Sequence, residues 1–471
     1  MVITRFAPSP TGDPHIGNIR SALFAYLFAK TNSEYGEFLL RIEDTDRARH
    51  NEKSVEVIKY ALEWLDIYPA NLHKPMVQSE RLPIYKEVAL KLVKEEKAYV
   101  CNCSKERLEQ VRENQKAKKL PPMYDKHCRN LNLPLEDGCV MRMKIPENRK
   151  IELDDLVRGH VEFDSKTIDD QIILKSDGFP TYHLAHVVDD DAMKITHVIR
   201  AEEWLSSTPK HILLNEMLGY KTPLYAHLPV ILSPAGGKLS KRDGAVGILE
   251  YKKMGYLPEA LINFMILLGW SPKDESEILI DQDEYALKFN RTAFLPGEFK
   301  LEYVNKAPAV FDIKKLNHFN EIFLKNKTVG QLKDLVSDYG NFEVSTSEAE
   351  LLKRGGFITL VEMADYISKL RQTPEYEPEM LVFKKSTPAN TKIGLSAVST
   401  RLSELNSWDE TEIQKIFGGV VSENSLSNGD VFWPVRVALS GEEKSPSPIE
   451  LLLALGKEES NKRIKKALEL L

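Results

Sequence analysis

The sequence predicts an α/β protein whose parallel sheet carries the functional site, followed by an all-helical C-terminal region. Strand-like and helix-like segments alternate over the first part of the chain, which favours a parallel sheet because parallel strands need helical crossovers. Roughly the last 150 residues show helix-period segments and no strand alternation. A chain of 471 residues is too long for one compact core, so we expect three or four structural units.

The composition is that of an ordinary globular protein, with 42% hydrophobic and 28% charged residues. No uncharged apolar run is long enough to span a membrane, and the N-terminus lacks the layout of a secretory signal, so we expect a cytoplasmic protein. Because the net charge is −6, an RNA partner would need local basic patches. Candidate patches lie at 116–119, 238–242 and 462–466, although each of them alone is more typical of a solvated surface.

The first element in chain order is a strand over 2–6, joined by a turn to a helix that starts near His15. A helix start presents unpaired N–H groups and a positive dipole end, which suits phosphate binding. His15 can donate a further hydrogen bond, and Gly17 leaves room for a ligand near the backbone. The glycine spacings of P-loop and dinucleotide-binding proteins are absent. Apolar residues recur with helical spacing at Ile16, Ile19, Leu23, Tyr26 and Leu27.

A second strand over 36–42 ends in an acidic run that begins with Glu43. Open α/β sheets bind ligands at the carboxyl ends of their strands, so this run indicates a side that faces a ligand. We expect helices at about 52–65 and about 80–97, followed over 139–185 by a mixed insert of short strands and turns.

Three of the four cysteines, Cys101, Cys103 and Cys128, cluster around a polar insert. This grouping predicts either a structural zinc site or free buried cysteines, because disulfides are not expected in a cytoplasmic chain. We expect Cys139 to belong to the core.

A basic loop follows at 233–242, where Gly and Ser favour mobility and Lys238, Lys241 and Arg242 lie within five residues. Such cations repel one another unless anionic oxygens lie among them. The loop is therefore either solvated or one half of a phosphate clamp.

Two segments resemble the signatures of class I aminoacyl-tRNA synthetases in the form found in glutamyl-tRNA synthetases. They are Ala7-Pro8-Ser9-Pro10-Thr11-Gly12 with His15-Ile16-Gly17-Asn18, and Lys238-Leu239-Ser240-Lys241-Arg242. Further similar segments at 179–190, 196–204 and in the C-terminal region extend the resemblance over essentially the whole chain. The resemblance implies ATP-dependent activation of L-glutamate to glutamyl-adenylate and its transfer to the 3′-terminal adenosine of tRNA(Glu).

The resemblance also implies a domain order. A Rossmann-like catalytic domain would occupy 1–98 and 186–250, interrupted at 99–185 by a mixed α/β insert that binds the tRNA acceptor end. A helical stem-contact domain would follow at 251–320, and an all-α anticodon-binding domain at 321–471. We expect a monomer that makes no membrane contact.

By the same resemblance, His15, Lys238 and Lys241 would stabilise the ATP phosphates during catalysis, with Mg²⁺ accompanying ATP. Arg5 would bind the side-chain carboxylate of glutamate and Glu43 its α-ammonium group. Further residues are implied for the amino-acid pocket and for ATP. They are Ser9, Tyr182 and Arg200 for glutamate, and Gly17, Asn18, Glu203, Trp204, Leu239 and Ser240, together with His15, Lys238 and Lys241, for ATP.

The sequence departs from the family at two of these sites. His186 stands where family members commonly carry Asn, which affects how the α-carboxylate is bound. At the cysteine cluster the usual fourth zinc ligand, a His two residues after the third Cys, is Asn130. The fourth ligand would then be Tyr124, as in the related enzyme that glutamylates queuosine in tRNA, or His127.

Three rival functions are that queuosine-modifying enzyme, a glutaminyl-tRNA synthetase and a non-catalytic tRNA-binding paralogue. The first lacks an anticodon region, the second usually has a different second signature and a β-barrel C-terminal part, and the third would lose His15, Lys238 or Lys241. Strict glutamyl enzymes read the third anticodon base with an Arg, and the register here places Gly356 at that position, with Arg354 two residues away. We therefore hypothesise that tRNA(Gln) is charged as well as tRNA(Glu).

Overall fold

The computed structural model describes residues 1–46, 52–237, 239, 246–272, 277 and 299–471. These residues form two compact units, one of Met1–Tyr251 with Leu261–Ile313 and one of Lys252–Ala260 with Lys314–Leu471. The predicted fold class is confirmed, because parallel strand pairs and a mixed insert precede a helical C-terminal region. No helix in these ranges is long and apolar enough to cross a membrane.

The strands of the described residues lie within the first 310 positions. They are β1 (Ile3–Phe6), β2 (Glu37–Ile42), β3 (Met76–Val77), β4 (Ala98–Cys101), β5 (Val140–Met143), β6 (Lys150–Asp155), β7 (Gly159–Asp164), β8 (Ile172–Leu174), β9 (His197–Ala201), β10 (Leu224–Leu228), β11 (Ile231–Leu232) and β12 (Ala309–Val310).

The α-helices before position 270 include the crossovers of the parallel sheet. They are α1 (Ile16–Asn32), α2 (Glu52–Trp64), α3 (Leu82–Lys94), α4 (Lys105–Ala117), α5 (Tyr182–Ala192), α6 (Thr208–Leu218), α7 (Ile248–Lys253) and α8 (Pro258–Leu267). The strands and helices predicted at 2–6, 36–42, about 52–65 and about 80–97 are confirmed to within a few residues.

The parallel sheet has a point at which the order of its strands reverses. Strands β1, β2 and β3 pair in parallel, and β9 pairs in parallel with β10. The backbone N–H of Thr196, immediately before β9, donates to Ile3 O at 2.9 Å, and the Thr196 hydroxyl accepts from Ile3 N at 2.8 Å. The strand order is therefore β3-β2-β1-β9-β10, and it reverses between β1 and β9. Open α/β sheets bind their ligands beyond the carboxyl ends of strands at such a switch point.

Helix α1 begins as the sequence predicts, because His15 caps it. The His15 backbone is extended, its ring Nδ1 accepts from Gly17 N at 3.1 Å, and the Asn18 side chain accepts from His15 N at 3.4 Å. The predicted apolar face is buried, with Ile16, Ile19, Leu23 and Leu27 at most 1% exposed and Tyr26 at 8%. The return to β2 requires a glycine, since a Cβ at Gly36 would lie 1.8 Å from Ala29 O.

The insert between α3 and α5 contains two small antiparallel sheets. Strand β5 pairs with β4 and β8, and β6 forms a hairpin with β7. The hairpin is joined to the parallel sheet, because Leu156 N, one residue beyond β6, donates to Tyr225 O in β10 at 2.9 Å. The mixed insert of the predicted fold class is confirmed, although residues 182–185 of the predicted range belong to α5.

From Ile313 onward the described chain contains helices and no strands, as the sequence predicts. Buried Arg463 links three of these helices, because its Nη1 donates to Leu439 O at 2.6 Å and its Nη2 to Leu370 O at 2.9 Å. The helices are α9 (Ile313–Asn326), α10 (Val329–Gly340), α11 (Thr346–Arg354), α12 (Leu360–Leu370), α13 (Pro388–Glu404), α14 (Glu410–Glu423), α15 (Asn428–Ser440) and α16 (Pro448–Leu470).

Candidate active site

The predicted glutamate-binding residues lie on elements that meet at the switch point of the parallel sheet, between β1 and β9. Arg5 lies in β1, Glu43 follows β2, Tyr182 opens α5, and Arg200 lies in β9. All four side chains lie in the first unit, and Arg5, Glu43 and Arg200 are at most 8% exposed. Asp190 and Arg41 link Arg5 to Glu43, and a hydrogen bond links Arg200 to Tyr182.

Asp190, at the end of α5, joins Arg5 in β1 to Arg41 in β2. Its Oδ1 accepts from Arg5 Nε at 3.2 Å and from Arg41 Nη1 at 2.6 Å. Arg41 is fully buried and also donates through Nη2 to Glu43 Oε1 at 2.9 Å. Two guanidinium groups and two carboxylates therefore balance one another in this cluster, as buried charges must.

The charges in this cluster change the acidity of its carboxyl groups. Burial alone would raise the pKa of Asp190, but the Arg5 and Arg41 guanidinium groups outweigh burial and lower that pKa below its usual value. Burial raises the pKa of Glu43, and the charge of Arg41 offsets only part of this rise. The arginines therefore favour the ionised form of Asp190, whereas burial disfavours the ionised form of Glu43.

Arg5 has N–H groups that are not used in hydrogen bonds to the described part of the chain. Its Nε binds Asp190, and its two terminal nitrogens donate to no group in the described part of the chain. A planar fork with two unused donor groups matches the geometry of a carboxylate. Arg5 can therefore receive a carboxylate without releasing Asp190.

Arg200 is held from three directions in β9. Its Nη1 donates to the Tyr182 hydroxyl at 3.1 Å, its Nη2 to Thr208 Oγ1 at 2.9 Å, and its Nε to His227 Nε2 at 3.1 Å. Burial raises the pKa of Tyr182, so the phenol stays neutral and can accept this hydrogen bond.

His186 occupies the part of the pocket where the sequence departs from the family. Its ring is 1% exposed, with Nε2 3.3 Å from Asp190 Oδ2 and Nδ1 3.4 Å from Arg41 Nη2. Burial and the nearby arginines lower the pKa of His186 well below its usual value, so the ring is neutral. A neutral imidazole here adds no charge to the balanced cluster.

Trp204 packs against the ring of Tyr182 in this pocket. Its ring lies 4.4 Å from that of Tyr182 with a tilt of 38°, and the residue is 37% exposed. Glu203, beside it, is exposed, and so is Ser9 in the turn after β1. Trp204 thus offers an accessible ring face next to the buried charges, which suits stacking of a nucleoside base.

The predicted phosphate-binding residues lie at the start of α1. Because His15 Nδ1 accepts from Gly17 N, a neutral ring carries its proton on Nε2. A Cβ at Gly17 would lie 3.0 Å from His15 Cε1, so the glycine also makes room for this ring. Asn18, the third residue of α1, is exposed. Lys238, Ser240 and Lys241 lie outside the described residues, and Leu239 is half-buried.

The cysteine cluster forms a separate site in the insert. The sulfur atoms of Cys101, Cys103 and Cys128 all lie within 4.8 Å of one another. The Tyr124 hydroxyl lies 3.4 Å from Cys101 Sγ and 3.4 Å from Cys103 Sγ, whereas His127 is exposed and outside the cluster. The expectation that Cys139 belongs to the core is wrong, because Cys139 ends a surface turn before β5 and is half-buried.

Several residues of the site were missed by sequence analysis. Arg41 interrupts the apolar run of β2, and a cation in a buried strand was the available signal for a charge cluster. Asp190 follows an apolar helical stretch, which is a similar signal. The partners of Arg200 give no comparable signal, since Thr208 and His227 lie on separate elements.

Two models of known protein families match this chain. A family model described as tRNA synthetases class I (E and Q), catalytic domain, matches residues 1–318. A second, described as an anticodon binding domain, matches residues 303–468. Together with the sheet and its site, these matches define a class I aminoacyl-tRNA synthetase.

Individual relatives indicate which family within this class the chain belongs to. The glutamate–tRNA ligase of Dehalococcoides mccartyi strain CBDB1 is 41% identical over 485 residues, covering 99% of this chain and 97% of the relative. The ligase of Alkaliphilus metalliredigens strain QYMF is 40% identical over 495 residues, covering 98% of each. A crystal structure of a glutamate tRNA ligase from Elizabethkingia meningosepticum, in complex with its amino acid, superimposes with a TM-score of 0.86 at 35% identity, covering 99% of both chains. The chain belongs to the glutamate–tRNA ligase family.

Proposed function

We propose that this protein joins L-glutamate to the terminal adenosine of tRNA(Glu) in two steps at the switch point. The α-carboxylate of glutamate attacks the α-phosphate of ATP, forming glutamyl-adenylate and releasing pyrophosphate. The terminal 2′-hydroxyl of the tRNA then attacks the acyl carbon, and AMP leaves. The observation that carries the proposal is the buried Arg5–Asp190–Arg41–Glu43 cluster, which presents unused guanidinium donors beside the carboxyl ends of β1 and β2.

The amino-acid pocket binds the side-chain carboxylate and the α-ammonium group of glutamate at opposite ends. Arg5 receives the side-chain carboxylate on its terminal nitrogens, with Tyr182 and Arg200 beside it, and Ser9 belongs to the same pocket. Glu43 receives the α-ammonium group, whose positive charge favours the ionised form of a carboxyl group that burial disfavours. Glutamine would leave the buried Arg5 cation only partly satisfied, so the pocket selects glutamate.

The phosphate side works by positioning and charge. His15, Gly17 and Asn18 at the start of α1 bind the ATP phosphates, where backbone N–H groups and the helix dipole favour anions. Lys238 and Lys241 neutralise the charge that develops on pyrophosphate, Leu239 and Ser240 belong to the same ATP contact, and Mg²⁺ accompanies ATP. Glu203 and the exposed face of Trp204 lie toward the adenosine.

The proposal is tested by ATP–pyrophosphate exchange with glutamate or glutamine, each with and without tRNA(Glu). We expect exchange that needs both glutamate and tRNA(Glu), as in the resembling family. Exchange with glutamate alone would favour the queuosine-modifying enzyme, although the anticodon-binding match over 303–468 argues against it. Absence of exchange under every condition would favour a non-catalytic tRNA-binding protein.

We also propose that the protein charges tRNA(Gln). A Cβ at Gly356, the residue at the position predicted to read the third anticodon base, would have no neighbouring atom within 4 Å. Arg354 at the end of α11 donates to Glu450 Oε1 at 3.1 Å and lies 3.6 Å from Glu410 Oε2, so acidic partners already engage its guanidinium. Acylation of a tRNA(Gln) transcript tests relaxed specificity, and no product above a tRNA-free blank would reject it.

We further propose that Cys101, Cys103, Cys128 and Tyr124 hold a structural Zn²⁺ ion. A tetrahedral site with Zn–S bonds of about 2.3 Å places sulfur atoms about 3.8 Å apart. The Cys103 and Cys128 sulfur atoms lie 3.5 Å apart, close to this spacing. The Tyr124 hydroxyl, in contact with two sulfur atoms, supplies the fourth donor in preference to exposed His127. Zinc would fix the insert that follows β4 and leave the chemistry at the switch point to other residues.

Metal analysis tests this zinc site directly. We expect about one zinc per chain in protein purified without chelators, and loss of nearly all of it in Cys128→Ser. Tyr124→Phe should retain zinc but release it at lower chelator concentration, because three thiolates remain. Cys139→Ser is the matched control, since this cysteine lies outside the cluster, and its zinc content should not change. Zinc-free protein after incubation with excess Zn²⁺ would contradict the proposal.

A further inference from the structure

A chain of buried hydrogen bonds runs from the insert to Arg200. Asp155, the last residue of β6, lies 2.6 Å through Oδ2 from His227 Nδ1 in β10, and His227 Nε2 lies 3.1 Å from Arg200 Nε. Asp155 is 4% exposed and His227 is fully buried. The two residues stand 72 positions apart in the sequence, so only the folded insert brings them together.

The donors and acceptors of this chain allow one placement of the proton. Asp155 Oδ1 accepts from the backbone N–H groups of Arg158 at 2.8 Å, Val157 at 3.0 Å and His227 at 3.1 Å. An ionised carboxylate can only accept, so His227 Nδ1 carries the proton that it donates to Oδ2. A guanidinium can only donate, so His227 Nε2 must be the unprotonated nitrogen that accepts from Arg200.

The acidity of the two groups agrees with this placement. Burial would raise the pKa of Asp155, but hydrogen bonds from His227 and from backbone N–H groups outweigh it and lower that pKa. Burial lowers the pKa of His227 despite its hydrogen bond to Asp155. The pair is therefore an ionised carboxylate and a neutral imidazole.

We propose that Asp155 and His227 are positioning residues, which fix the guanidinium of Arg200 in the orientation that binds glutamate. The inference rests on the proposed role of Arg200 in the amino-acid pocket. An arginine side chain has several rotatable bonds, and a fixed acceptor at Nε selects one plane for its fork. Asp155 acts through the tautomer of His227, and the insert thereby contributes to a pocket that it does not line. The expected effect is on the KM for glutamate rather than on that for ATP.

The substitution Asp155→Asn tests the role of the tautomer. The oxygen of the new amide would face the three backbone N–H donors, and the amide NH₂ would then donate to His227 Nδ1. The ring proton would move to Nε2, where it meets the Arg200 N–H group and can turn to the Thr208 hydroxyl, which also lies 3.1 Å from Nε2. In ATP–pyrophosphate exchange with tRNA present, we expect Asp155→Asn to raise the KM for glutamate about tenfold. The KM for ATP should change less than about twofold.

Two substitutions of His227 separate positioning from simple packing. Glutamine places its carbonyl oxygen near the position of Nε2 and keeps an acceptor for Arg200 without help from Asp155. Asparagine is too short to do so. We expect His227→Asn to raise the KM for glutamate about tenfold and His227→Gln about threefold or less. The double variant Asp155→Asn/His227→Gln should resemble His227→Gln, because its acceptor no longer depends on a tautomer.

The neighbouring residue supplies a matched control. Asp154 is also in β6 and also pairs with a histidine, at 2.8 Å from His160 Nδ1, but both side chains are exposed. Asp154→Asn should leave both KM values unchanged. An unchanged KM for glutamate in Asp155→Asn, or equal effects of His227→Asn and His227→Gln, would overturn the inference. Arg200→Lys, measured in parallel, checks the foundation, because an unchanged KM for glutamate there would refute the assignment of Arg200 itself.

Discussion

Replacing Arg5 with alanine is expected to lower kcat/KM for glutamate by about 10³-fold while leaving ATP affinity nearly unchanged. The terminal nitrogens of Arg5 are the unused donors of a buried charge cluster, and the proposed substrate carboxylate would complete that cluster. Without the Arg5 guanidinium, the glutamate carboxylate would lose its ion pair with the planar fork and keep Arg200 as the cation beside it, a loss that costs several kcal/mol. Glutamine carries no such charge, so the preference for glutamate over glutamine should fall.

The measurement is ATP–pyrophosphate exchange with each amino acid, together with direct titration of ATP binding by calorimetry. Arg5→Lys keeps a cation near Asp190 but lacks the fork, so its loss should be intermediate. Thermal melting of both variants separates loss of recognition from loss of folding, since Arg5 also binds Asp190 at 3.2 Å. A kcat/KM for glutamate within about threefold of the original value in Arg5→Ala would refute the assigned role of Arg5.

Asp190→Ala is expected to destabilise the catalytic unit by about 3–5 kcal/mol. Asp190 Oδ1 accepts from two buried guanidinium groups at 3.2 and 2.6 Å, and alanine would leave Arg5 without its carboxylate partner and Arg41 with Glu43 alone. Amide hydrogen exchange of peptides from β1, β2 and α5 measures the opening of this unit without assuming two-state unfolding of the whole chain.

Asp191→Ala is the matched control for this prediction. Asp191 follows directly in α5 but pairs with exposed Lys194 at 3.5 Å, so its loss should cost less than about 1 kcal/mol. Equal protection in the two variants would show that the buried cluster contributes little to stability.

The contribution of Asp190 should also depend on pH. The unfolded carboxyl group titrates near the usual value of 3.8, whereas the folded state holds the pKa of Asp190 below it. The unfolded chain therefore binds this proton first as pH falls, and acid removes the stabilisation. The difference in stability between the original chain and Asp190→Asn should be fully present near pH 7 and shrink below about pH 4.

The sequence was most informative where local pattern decides the structure. The start of α1 could be predicted because His15 follows a turn and precedes apolar residues with helical spacing, and the cap at His15 agrees. The strand ends that carry Arg5 and Glu43 could be placed because parallel strands present their carboxyl ends at one edge of a sheet. These inferences depend on residues that are neighbours in the chain.

The rest of the site depends on contacts between distant positions, which a single sequence does not reveal. Arg41 binds Asp190 across 149 positions, so its charge could be noticed but not paired. At the cysteine cluster, spacing left Tyr124 and His127 as alternatives, and only the fold separates a buried hydroxyl in contact with sulfur from an exposed ring. Cys139 was misplaced because an apolar side chain beside a strand can still lie in a surface turn.

The pairing between Ile3 and Thr196 has a consequence for how the protein is made. These residues are separated by 193 positions, so the central edge of β1 stays unpaired until the whole insert has been synthesised. At about 5–20 residues per second, that interval lasts roughly 10–40 s on the ribosome. Throughout it, a nascent sheet of β1 and β2 carries an open edge of unpaired backbone N–H and C=O groups, which is the kind of surface that chaperones shield and that aggregates when they are scarce. The insert thus delays completion of the very sheet whose pocket it later helps to shape.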